Sequence, residues 1–159
     1  MASTVITIAD MRVTSDINEV LITYALGSCL GVVAYDPVAR VGGMIHCLLP
    51  MSKSNPEKAS QNPATYTDSG MVALFNLLFE HGARKENLQI KVAGGAAPME
   101  MGEQFRIGER NFAVLRKFLW KNNLLLSGQD VGGKKPRTMS LDMATGRTTI
   151  KSKGVDIEL

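Results

Sequence analysis

Three residues in the first third of the chain could act together on a carbonyl: Thr23, Cys29 and His46. Cys29 closes the run TYALGSC, and His46 lies in GGMIHCLLP, seventeen residues further on. A cysteine attacks as its thiolate. Its reference pKa of about 8.5 leaves only a few per cent ionised near neutrality, so it needs a base beside it. A histidine can take that proton and later return it to a leaving group. A third group should orient the ring, and the Thr23 hydroxyl, six residues before Cys29, can hydrogen-bond the far ring nitrogen. Gly27 and Gly31 let a substrate approach the backbone, and an amide around Gly27, Ser28 and Cys29 can stabilise an oxyanion.

Spacing supplies a route to contact. CLGVVAYD and VGGMIHCLLP read as two strands joined at DPVAR, where Asp36 can accept from amides ahead of it and Pro37 presets the next dihedral. If this hairpin closes symmetrically on residues 36–39, Tyr35 faces Arg40, Gly31 faces Met44 and Cys29 faces His46. Opposed residues share a face, with Cβ atoms roughly 5 Å apart. A bulge at Gly42 and Gly43 would shift this register by one.

The residues alone leave other readings open. A lone cysteine on a strand is usually a small core residue. Cys47, next to His46, points to the opposite face and reads as core. A metal set drawn from Cys29, His46, Cys47 and His81 has no C-x-x-C, and neighbours on a strand diverge, so we expect no metal. His81 reads as a cation at a helix end. The GG pairs at 94–95 and 132–133 continue into neither a P-loop nor a dinucleotide fingerprint. They read as tight turns at the rim of the same site.

The elements that must position these groups can be read in turn. The chain has 159 residues, 45% hydrophobic and 21% charged, which suits one globular domain over residues 1–159. No apolar run approaches the roughly 18 residues of a membrane span, and the N-terminus has no export pattern. We therefore expect a cytoplasmic protein with both cysteines as free thiols. The net charge of +3 and the short basic stretch GGKKPR do not make a nucleic-acid face, although they suit an acidic protein partner. TVITIAD, EVLITYALG, NLQIKVAGG and NLLLSGQDV read as further strands, and RTMSLDM and RTTIKSK as a hairpin around ATG. Met71, Leu74, Phe75 and Leu78 mark one face of a helix capped by Thr67 or Asp68 and ended at His81 and Gly82. A second helix is predicted from Glu109 to Asn122, with Phe112, Leu115 and Leu119 inward. Met51 to Thr67 is polar and aperiodic, a loop or lid of about 15 residues. The expected fold is α/β of the α+β type, with layered, mostly antiparallel sheets and two main flanking helices.

The quoted motifs also resemble a known family. With YTD at Tyr66 to Asp68, KVAGGAAPM at 91–99, IGERN at 107–111 and DVGGKKPR at 130–137, the chain resembles the CheD family of chemoreceptor glutamine deamidases over nearly its whole length. The resemblance implies hydrolysis of selected glutamine side-chain amides on methyl-accepting chemotaxis receptors, without a cofactor. It implies Cys29 as nucleophile, His46 as general base and Thr23 as third member. It implies a fold similar to the catalytic domains of bacterial deamidating toxins, and a CheC-type phosphatase as partner. Two departures stand out: the family's GGA-x-M is stretched here to GGAAPM, and a second cysteine follows His46. The main alternative is a binding module that regulates a CheC-type phosphatase with weak hydrolysis. A further one keeps the chemistry but uses an amine acceptor or a backbone amide.

Overall fold

A computed structural model describes residues 2–97 and 106–159. The strands are β1 (Ala2–Val5), β2 (Asp10–Thr14), β3 (Glu19–Leu26), β4 (Leu30–Asp36), β5 (Val41–Cys47), β6 (Gln89–Gly94), β7 (Leu126–Val131), β8 (Arg137–Asp142), β9 (Arg147–Ser152) and β10 (Val155–Glu158). The α-helices are α1 (Pro56–Gln61), α2 (Thr67–Glu80) and α3 (Ile107–Lys121). Two five-stranded sheets form, ordered β1-β3-β8-β9-β10 and β2-β5-β4-β6-β7. Among these strands only β1 with β3 and β6 with β7 pair in parallel. The architecture is the layered α+β type that the sequence predicts.

Burial patterns explain the layering. β4 and β5 are buried at every residue, as LGVVAYD and VGGMIHC would suggest, because both faces of their sheet are covered. One face packs Val32, Ala34, Ile45 and Cys47 against Met71, Leu74 and Leu78 of α2 and Leu115 of α3. The other packs Val33, Tyr35 and Met44 against Leu21, Met139, Leu141 and Ile150 of the first sheet. β8 alternates buried and half-buried residues, since its outer face meets solvent.

Several expectations are corrected. TVITIAD is not one strand: the chain leaves β1 after Val5, turns through Ala9 at φ 60°, and restarts as β2 in the other sheet. Residues 51–67 are not an open loop. They fold into α1 between two short 3-10 turns, Ser52–Ser54 and Pro63–Thr65. Neither Thr67 nor Asp68 caps α2, whose N-cap Tyr66 makes no side-chain cap bond. Asp68 instead accepts from the amide and hydroxyl of Ser52, at 2.9 and 2.7 Å. β10 follows a left-handed turn at Lys153 and Gly154 that the sequence reading did not anticipate. Pro98 and Met99 of GGAAPM lie outside the described residues.

Candidate active site

β3 lies in one sheet and β4 in the other, so Gly27, Ser28 and Cys29 form the crossing between them. The end of β3 is irregular: its pairing with β8 shifts between Thr23 and Leu26, and Ala25 has φ 57°. Cys29, 8% exposed, sits in the layer between the sheets. His46 on β5 and Thr23 on β3 are buried in that same layer, and Thr23 Oγ1 lies 2.7 Å from His46 Nδ1.

The hairpin register differs from the expected one. Gly31, not Cys29, faces His46, because β4 and β5 close at Asp36 opposite Val41. The connection runs 37–40, with Arg40 at φ 56° and its amide bonded to the Asp36 carbonyl at 2.8 Å. Asp36 does accept from Val38 and Ala39, and no bulge interrupts Gly42 or Gly43. A shift of two residues preserves the face, so Cys29 and His46 still share the inter-sheet layer. They are diagonal neighbours, and no hydrogen bond joins thiol to imidazole. Gly31 has a packing role: a Cβ there would lie 2.9 Å from both Leu26 Cδ1 and Met139 Sδ, so it is no path for substrate.

Hydrogen bonding assigns the imidazole tautomer. Thr23 Oγ1 is also 2.6 Å from the Ile6 carbonyl, which can only accept. The single hydroxyl proton therefore goes to Ile6, and Thr23 accepts from His46 Nδ1–H. Nε2 is left with its lone pair, buried and without a hydrogen-bond partner among the described residues. Burial lowers the His46 pKa to about 4 and raises that of the Cys29 thiol. Near neutrality the resting pair is a neutral thiol and a neutral base.

The crossing from β3 to β4 is held by its carbonyls. Gly27 O accepts from Ala96 N at 2.8 Å, Ser28 O from Asn111 Nδ2 at 3.0 Å, and Cys29 O from Gly95 N at 2.9 Å. The amides of Ser28 and Cys29 donate to no described acceptor, which is the arrangement an oxyanion site requires. Gly94 has φ 104°, and a Cβ there would lie 2.2 Å from Cys29 O. The two GG pairs meet: Gly132 N donates to Gly94 O, and Ala97 N to Gly133 O, both at 2.9 Å. Buried Arg137, paired with Asp130, donates to the carbonyls of Gly94 and Gly132.

Cys47 faces the helices, and burial pushes its thiol up, out of competition with Cys29. His81 is exposed at the end of α2, with Nδ1 2.9 Å from Leu77 O, away from this cluster. Among the described residues no three His, Cys, Asp or Glu side chains are grouped to hold a metal ion, and no helix is long and apolar enough to cross a membrane.

A family profile described as CheD chemotactic sensory transduction matches residues 48–152. The chain belongs to the CheD family. It is 41% identical, over 97% of its length and 96% of the relative's, to a probable chemoreceptor glutamine deamidase CheD 1 of Syntrophus aciditrophicus. A similarly named protein of Solibacter usitatus is 41% identical over the whole of this chain and 94% of its own. One from the archaeon Pyrococcus horikoshii is 38% identical over 84% and 83%.

Two site groups of this CheD-family chain escaped the sequence reading. The Ile6 carbonyl is a backbone atom and has no signature. Asn111 had one: it is a polar residue on the stripe Gly108, Asn111, Leu115 and Leu119 that α3 buries. A polar side chain on an apolar face needs partners, and that conflict could have singled it out.

Proposed function

We propose that this chain is a cysteine-dependent protein-glutamine deamidase acting on chemotaxis receptors. The names of its relatives support the reaction and the substrate. One observation carries the assignment of residues: His46 is fixed through Nδ1 by Thr23, leaving Nε2 without a partner among the described residues, in the layer that holds Cys29. Because thiol and imidazole are both neutral at rest, the proton moves as the attack proceeds. Cys29 Sγ bonds to the glutamine side-chain carbon while its proton passes to His46 Nε2. The carbonyl electrons move to oxygen, which the Ser28 and Cys29 amides, without an acceptor among the described residues, stabilise. Collapse breaks the carbon–nitrogen bond, and Nε2 returns the proton to the departing nitrogen, which leaves as ammonia. Water then adds to the thioester, giving a proton to His46 Nε2; the carbon–sulfur bond breaks to release glutamate, and Nε2 returns that proton to the sulfur to restore the thiol.

A CheC-type phosphatase is the second partner that the family resemblance implies. Free thiols at Cys29 and Cys47 suit a reducing compartment, and this reading places the enzyme in the cytoplasm. The test is intact-mass analysis of a receptor cytoplasmic domain incubated with wild type and with Cys29→Ala, alongside ammonia release. A small mass gain and matching ammonia with wild type alone are expected. No gain with either protein would move the reading to a phosphatase-regulating module, and a product carrying an amine in place of acid would make it an amide transferase.

A further inference from the structure

Asn111 touches neither Thr23 nor His46, yet every polar atom of its side chain is engaged. It is fully buried near the start of α3. Its Nδ2 donates to Ser28 O at 3.0 Å and to Leu48 O at 3.3 Å, and its Oδ1 accepts from Thr67 Oγ1 at 3.2 Å. Thr67 shares that hydroxyl with Leu49 O at 3.3 Å. The amide orientation is therefore fixed, because a flip would set its oxygen against two carbonyls.

Ser28 O matters for what lies across the peptide bond. The carbonyl of Ser28 and the N–H of Cys29 belong to one planar trans unit and point in opposite directions. Holding the oxygen toward α3 aims the Cys29 N–H away from the helix. Gly27 O and Cys29 O are pinned by backbone amides of Ala96 and Gly95, so among the described residues Asn111 supplies the one side-chain bond of the three. Its second bond reaches Leu48, two residues beyond His46. A single amide thus ties the nucleophile's peptide to the strand end that carries the base.

We propose that Asn111 is a positioning residue that fixes the Cys29 N–H as an oxyanion donor. The proposal rests on the deamidase reading above. It separates two properties of Cys29: attack on a carbonyl, which develops an oxyanion, and displacement at an alkyl halide, which does not. The experiment compares wild type with Asn111→Leu, a substitution close in size without polar atoms. Ammonia release from a receptor cytoplasmic domain gives kcat and KM, and iodoacetamide alkylation of Cys29 reports the thiol alone. Asn111→Leu should lower kcat by about 10- to 100-fold, short of the roughly 10²–10³-fold that losing a whole oxyanion donor costs. KM and the Cys29 alkylation rate should stay within about twofold of wild type. Asn111→Ser, smaller and still a donor, should show the same split to a lesser degree and carries the test if the leucine variant does not fold. An unchanged kcat, or a fall in kcat matched by an equal fall in alkylation, overturns the positioning role. Absence of ammonia release from wild type overturns the deamidase reading itself, and the proposal with it.

Discussion

Thr23 donates to the Ile6 carbonyl and accepts from His46, so this hydroxyl decides which imidazole nitrogen is left bare. Thr23→Val keeps the shape and removes the acceptor, freeing the ring to rotate or change tautomer. We expect kcat to fall by an amount up to the roughly 10²–10⁴-fold that a positioned acid–base contributes, while Thr23→Ser retains most of the rate. Steady-state ammonia release on both variants checks this, and equal losses would show that the hydroxyl alone does not set the rate and that packing at this position matters as much. The pH profile follows from the same burial. In the proposed mechanism His46 works only when unprotonated, and desolvation lowers it to about 4. The acid limb of kcat/KM should therefore lie near pH 4, with no inflection at the ordinary histidine value of about 6.5. A limb near 6.5 would mean that bound substrate hydrates the ring or brings a carboxylate to it. Residue types made Thr23, Cys29 and His46 legible from sequence, since each carries its chemistry in its side chain. Nothing in the letters marks Ile6, which contributes only a carbonyl.

Among the elements, the segment at Gly94 to Ala96 holds the Gly27–Cys29 crossing most directly, and it depends on a backbone that only glycine accepts easily. Gly94→Ala would combine a left-handed φ of 104° with a Cβ 2.2 Å from Cys29 O. Backbone cannot swing aside as a side chain can. We expect a loss of more than about 1 kcal/mol in urea unfolding, accompanied by a marked fall in kcat. Gly31→Ala first meets the side chains of Leu26 and Met139, so it should lower stability with a smaller effect on kcat. If the two variants lose rate equally, Gly94 does not act through the crossing. The hairpin shows how far element-level reading reaches. DPVAR announces a turn but not that Arg40 turns left-handed, and that choice shifts the register by two residues. An even shift leaves every side chain on its expected face, so Cys29 and His46 stayed in one layer although they were not opposed. Residues 51–67 gave no period because their helical turns are too short to repeat one. Asn111 hid in a helix whose apolar stripe was read from its leucines.

At the scale of the whole molecule, the two sheets are joined by a charged clamp as well as by their shared core. Glu19 on β3 accepts from Thr4 on β1 at 2.7 Å and from Arg12 on β2, which belongs to the other sheet. The Arg12 hydrogen bond, followed by those of Thr4 and Thr14, outweighs burial and holds Glu19 at about 2. A carboxylate depressed from 4.5 stabilises the fold above that value, and its contribution is lost as pH falls toward 2. His46 acts over a higher window. Unfolded, it takes a proton near 6.5; folded, only near 4, so stability falls as pH drops between these values and levels off below. Asp36 adds to the lower stage: burial raises its pKa, but the amides of Ala39, Arg84 and Val38 overcome that and hold it below its usual value. Unfolding free energy measured across pH should therefore descend in two stages, the first ending near pH 4 and the second running to about pH 2. Glu19→Gln should flatten the lower stage and leave the upper one intact, with the half-exposed Arg12 returning to water. His46→Gln should flatten the upper stage alone. A Glu19→Gln variant that keeps the full slope below pH 4.5 would show that the clamp is a surface pair, and that the buried core alone joins the sheets.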